Sequence, residues 1–84
     1  MNIHKTIRAK VADLAQQLGR DTHNLRDDQE IQVGGLLDSA SLMELILWFE
    51  AEFELEVDQD QLTLDNFGTI NRMASYAEKA SAKA

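Results

Sequence analysis

Residues 35–54 read Gly-Leu-Leu-Asp-Ser-Ala-Ser-Leu-Met-Glu-Leu-Ile-Leu-Trp-Phe-Glu-Ala-Glu-Phe-Glu, a run in which a polar cluster gives way to apolar residues at helical spacing. On a wheel turning about 100° per residue, Leu42, Leu45, Ile46, Phe49 and Phe53 gather on one side, with Glu44, Leu47 and Ala51 on the other. Residues 39–54 are therefore expected to form an amphipathic helix with the first set in the core. Asp38, Ser39 and Ser41 stand where that helix begins, and such side chains accept hydrogen bonds from first-turn N–H groups that lack an intrahelical partner. Ser41 to Glu44 even fits a capping box. Taken alone, the cluster is a helix cap.

Upstream, Gly34-Gly35 interrupts any regular pattern, and residues 20–37 read as a long loop pinned to the core by Leu25, Ile31, Val33, Leu36 and Leu37. A connection that long is unusual in a small domain and points to function. Ile3, Ile7, Val11, Leu14 and Leu18 fall within one stripe about 80° wide, predicting a first helix over 3–18 that stops at Gly19. Downstream, Leu55 and Val57 are expected to leave the second helix in an extended segment, and residues 59–66, with Leu62 and Leu64, to form a short helix or turn. A last helix over 69–82 carries Ile70, Met73, Ala74 and Ala77 on one face, with Thr69 or Asn66 as its N-cap. The fold class is all-α: a four-helix bundle of three main helices plus one short helix, with a long loop between helices one and two. Residues 1–84 form a single domain, with 78–84 expected to fray.

At 84 residues the chain buries only about 60 to 65% of the surface it would expose unfolded, so the core is small. There is no Cys, hence no disulfide framework and no thiol nucleophile; thiol chemistry would have to come from a bound group. No segment reaches the ~20 apolar residues that cross a bilayer, and nothing at the N-terminus has the pattern of a signal peptide, so a soluble, cytoplasmic monomer with no membrane insertion is expected. The net charge is −7, and twelve acids lie between Arg26 and Arg72 with no Lys or Arg among them. Nucleic acid is a poor partner for such a surface, because binding it depends on cations neutralising phosphates. A basic protein surface is a good one.

Catalysis by the chain itself is not expected. His4 and His23 lie in the first helix and the loop, with nothing in the sequence joining either to Ser39. Asp58-Gln59-Asp60 begins like a calcium loop, but Leu62 stands where an oxygen ligand belongs and Thr63 where the loop needs Gly, so no metal site is assigned. Gly34-Gly35 lacks the Lys and the spacing of a phosphate-binding loop.

The stretch around Ser39 resembles the Asp-Ser-Leu signature of acyl and peptidyl carrier proteins, the stand-alone phosphopantetheine-binding carriers. The likeness extends along the chain: a first helix (3–18), a long loop (19–37), Asp38-Ser39 at the start of a second helix, Leu42 to Phe53 with Glu44, Glu50 and Glu52, then Phe67 to Tyr76. It implies that Ser39, behind Asp38, takes a 4′-phosphopantetheine group from coenzyme A through a phosphopantetheinyl transferase. It further implies that the group carries acyl or aminoacyl cargo as thioesters in fatty acid, polyketide or specialised lipid or peptide pathways. Met43, Glu44, Leu47 and Ala51 would form the face that docks on that transferase, on loading enzymes and on downstream synthases, each through a basic patch.

Two residues depart from the family pattern. Ala40 replaces a larger apolar residue, which bears on how well a transferase grips the helix, and Trp48 is bulkier than usual, which suggests small cargo. Gly-Leu-Leu-Asp-Ser looks closer to specialised carriers, including aminoacyl and D-alanyl types, than to housekeeping fatty-acid carriers. On the residues alone two other readings stay open: a non-covalent acidic helical adaptor, in which Asp38 and Ser39 only cap, and an acid-rich metal-binding domain.

Overall fold

The structure, a computed structural model, describes residues 2–82; Lys83 and Ala84, part of the tail expected to fray, lie outside them. The chain forms helices α1 (Ile3–Gln17), α2 (Ser39–Phe53), α3 (Leu64–Phe67) and α4 (Ile70–Ala82), with one 3₁₀ turn over Gln59–Gln61 between α2 and α3. α1 packs on α2 and α4, and α3 on α4. The all-α bundle of three long helices and one short one is as the sequence predicts.

α1 begins with the Asn2 side chain accepting the Lys5 N–H at 3.0 Å. It ends where Gly19, at φ +77°, takes the left-handed backbone that residues with a Cβ resist. There the N–H groups of Gly19 and Arg20 donate to the carbonyls of Gln16 and Ala15, at 3.0 and 2.9 Å, closing a Schellman motif. Along the helix Ile7, Val11, Leu14 and Ala15 are buried.

The long loop is fastened to both neighbouring helices. The Arg8 guanidinium of α1 donates to both carboxylate oxygens of Asp27, at 2.7 and 2.8 Å. The Asp27 carbonyl accepts the Asn71 N–H at 2.9 Å, supplying a partner for a first-turn donor of α4. Four residues on, Ile31 is fully buried and donates its N–H to the Gly68 carbonyl at 3.0 Å. Leu36 and Leu37 are buried and Leu25 half-buried, but Val33 is 64% exposed, so it does not pin the loop as expected. The reason is local. Hydrogen bonds from Gly35 to Gln32 and from Leu36 to Ile31 fold 31–36 into a turn whose two ends enter the core and whose apex, Val33, faces water.

On α2, Leu45, Ile46 and Phe49 are buried, while Leu42 and Phe53, expected in the core, are only half-buried and pack at its edge, near the two ends of the helix. Phe49, at 0% exposure, centres an aromatic cluster with ring centroids 4.9 Å from Phe53, 5.2 Å from Phe67 and 6.2 Å from Tyr76. Burying a side chain of that size contributes about 1.5–3 kcal/mol, and helices this short depend on such packing more than on propensity. α2 ends at Glu54, whose φ of 53° is left-handed without being glycine. The Leu55 N–H returns to the Glu50 carbonyl at 2.9 Å, and the Glu50 carboxylate accepts the Val57 N–H at 2.8 Å, holding Leu55 and Val57 against the core.

Thr63 caps α3, its hydroxyl oxygen accepting the Asn66 N–H at 3.3 Å. Thr69 does the same for α4, accepting from Arg72 at 3.1 Å. Asn66, the alternative cap, instead lies inside α3 and donates its amide to the Gln61 carbonyl at 2.9 Å. Ile70, Met73, Ala74 and Ala77 of α4 are fully buried, as their spacing predicts.

Candidate functional site

Asp38 is the N-cap of α2, its carboxylate accepting the Ser41 N–H at 2.8 Å and its carbonyl the Leu42 N–H at 2.9 Å. Ser41 therefore sits inside the first turn, and the capping box expected from Ser41 to Glu44 does not form because the helix starts earlier. The Ser41 N–H, with a smaller contribution from the Ser41 hydroxyl, holds the Asp38 carboxyl below the usual carboxylate range. So held, Asp38 is a weak base. It serves as a cap.

Ser39 is the first residue of α2 and is exposed, as is Ala40 beside it. The chain reaches this point through Gly35, at a left-handed φ of +77° that glycine adopts freely. Ser39 stands at the lip of a cleft of about 220 Å³ walled by Leu42, Met43 and Ile46 of α2 and by Leu62, Leu64 and Phe67 on the far side, with Gln32 and Thr63 its other polar residues. Leu42, expected as core, is thus a cleft wall. Trp48 does not line the cleft; its ring meets Phe53 edge-on at 5.9 Å, so it does not narrow the space beside Ser39.

Along α2, Met43 is 56% and Leu47 60% exposed, and Glu44 and Ala51 are exposed with them. Leu62 and Leu64 add exposed apolar surface across the cleft, at 38% and 48%. The sequence reading did not assign them to the site. The available signal was a pair of leucines two positions apart in an otherwise polar segment. Glu50, one of the acids of the middle block, turns out to be a backbone clasp for Val57. His4 is half-buried on α1 and His23 exposed in the loop, and neither lines the cleft. Among the described residues no group of three or more His, Asp or Glu is placed to hold a metal ion, and no helix is long and apolar enough to cross a membrane.

A family model described as "Phosphopantetheine attachment site" matches residues 6–77, which include the loop, the head of α2 and both walls of the cleft. An acyl carrier protein of Trieres chinensis is 31% identical over 68 residues, spanning 81% of this chain and 82% of the relative.

Proposed function

Because the chain belongs to the phosphopantetheine attachment family, we propose that Ser39 bears its 4′-phosphopantetheine group and that the protein shuttles small acyl or aminoacyl groups between enzymes. As an acyl carrier protein of this family it is a carrier and not a catalyst. The observation that carries the Ser39 assignment is an exposed hydroxyl on the first residue of a rigid helix, at the lip of an apolar cleft.

The residues present fit the group. A transferase can reach Ser39 because it is exposed at the head of α2, and the partial positive charge of the helix N-terminus favours a phosphodiester there by about 0.3–1 kcal/mol. In the transfer the Ser39 Oγ becomes the ester oxygen on phosphorus and the nucleotide half of coenzyme A leaves. The Asp38 carboxylate is engaged as the helix cap, accepting the Ser41 N–H, and the Ser39 proton passes to a base supplied by the transferase. When attached, the arm supplies a terminal thiol on which cargo is held as a thioester.

The cleft supports a limit on cargo. Its volume of about 220 Å³ is only modestly above the roughly 150 Å³ of a protein cavity that holds one benzene ring. Each CH₂ that leaves water there contributes about 0.8 kcal/mol. Phe67 and Ile46, rather than Trp48, bound the space.

Partner enzymes dock on Met43, Glu44, Leu47 and Ala51 through apolar patches ringed by Lys or Arg. Single exposed ion pairs add only about 0–1 kcal/mol each, but an acidic face raises encounter rates without slowing departure, which suits a shuttle.

Intact mass tests the assignment. Incubation with coenzyme A and a broad-specificity transferase is expected to add one phosphopantetheine to the wild type and none to Ser39→Ala. An unmodified wild type beside a labelled control carrier defeats the reading, and leaves the chain an adaptor.

A further inference from the structure

Apart from alanine, the aliphatic side chains of α2 are Leu42, Leu45, Ile46 and Leu47, and among them stands one thioether, Met43. Leucine at position 43 would give similar apolar bulk and no lower helix propensity, so what methionine adds there is a sulfur that can be oxidised and reduced. Met43 is 56% exposed on the docking face and also walls the cleft at whose lip Ser39 stands. Met73, the other methionine among the described residues, is fully buried in the core, where an oxidant in water does not reach it. The chain has no Cys, so until an arm is attached no thiol competes with the thioethers for oxidant.

Resting on the docking face proposed above, we propose that Met43 is a reversible oxidation site, at which a peroxide turns part of that apolar face polar and so switches off docking while the fold stands. The Met43 Sδ attacks one oxygen of hydrogen peroxide. An S–O bond forms, the O–O bond breaks, sulfur loses two electrons, and the second oxygen leaves as water once the proton of the transferred hydroxyl has passed to it. The sulfoxide so formed is a hydrogen-bond acceptor, and pressing it against an apolar partner surface strips it of water without giving it a donor. Met43 and Leu47 are the two large apolar side chains of the face, so the change removes a large part of its apolar area. Because the side chain is exposed, the added oxygen meets water and not the core. Sulfoxide reductases restore the thioether, the oxygen leaving as water while two thiols join in a disulfide.

The test uses the full chain before an arm is attached. Mild hydrogen peroxide is expected to oxidise Met43 well before Met73, read by peptide mass mapping, which also separates any oxygen taken up at Met1, and to leave the melting temperature in place. Rates of modification by coenzyme A and a broad-specificity transferase are then compared. For the oxidised wild type kcat/KM is expected to fall about three- to ten-fold, the equivalent of one or two CH₂ groups no longer buried at the interface, mainly through KM. Sulfoxide reductases with dithiothreitol restore it. Met43→Leu, referred to its own untreated rate, is expected to lose nothing on treatment. An unchanged rate with Met43 fully oxidised, an equal loss in Met43→Leu, a loss that comes with unfolding, or oxidation of Met73 in step with Met43 overturns this inference and leaves Ser39 as the tether. Failure of the untreated wild type to gain mass defeats the Ser39 assignment, and this inference with it.

Discussion

Replacing Glu54 by Gly is expected to stabilise the protein, although glycine weakens the interior of a helix. Glu54 sits at φ 53°, ψ 49°, and a residue with a Cβ in that left-handed conformation carries about 1–2 kcal/mol of strain. Glycine escapes the strain but gives the unfolded chain more freedom, worth about 0.5–1 kcal/mol in the opposite direction. The backbone balance is about 0–1.5 kcal/mol, centred near 0.75 kcal/mol, in favour of the variant. Removing a carboxylate from the negative end of α2 adds about 0.3 kcal/mol at low salt. At about 4–8 °C per kcal/mol for a domain of this size, the melting temperature rises by some 2–10 °C, readable by far-ultraviolet circular dichroism. Glu54→Ala is the decisive control, since it removes the same charge and keeps the strain. It should fall below Glu54→Gly by about 0.5–1 kcal/mol, the reverse of the order these residues show in a helix interior. If Ala melts at or above Gly, the account of this cap is wrong. Modification of Ser39 should be the same in both variants, because position 54 lies at the opposite end of α2.

Arg8 holds the Asp27 carboxyl below its ordinary range, chiefly by hydrogen bonding. A carboxyl so lowered stabilises the fold above its unfolded pKa of about 3.9, and the contribution is lost as pH falls through the lower folded value. Asp27→Asn should therefore be less stable than wild type at neutral pH, with the gap closing on acidification below about pH 4; urea melts at a series of pH values measure it, and a gap independent of pH would count against the joint. Glu44→Lys should lower the transferase's kcat/KM several-fold at low salt, mainly through KM, with the difference shrinking as salt screens the face and the melting temperature little changed; equal rates at low salt would remove Glu44 from the docking surface.

Much of this protein was legible in one dimension because the interactions concerned are local. The buried stripe of α4 and most of those on α1 and α2 follow from the helical repeat, and the Asp38 cap follows from a side chain meeting an N–H three residues on. Ser39 stood out through the likeness to the carrier signature, since the Asp-Ser pair alone reads as a helix cap. Even the near misses at Ser41 and Asn66 chose between polar residues that are all competent caps, a choice made by where the helix actually starts.

Other features belong to the path of the chain in space. Asp27 reads as one acid among twelve until the fold brings it to Arg8, nineteen positions away, and sets its carbonyl over the first turn of α4. Glu50 reads as one more acid of the middle block until the left-handed turn at Glu54 swings Val57 back onto it. Val33 and Ile31 are equally apolar, and only the closed turn between them decides which one meets water. The cleft beside Ser39 is the clearest case, since its walls come from three separated segments. Helical periodicity fixes which face of an element is apolar, whereas only packing decides whether that face is covered, half-covered or left open as a cleft.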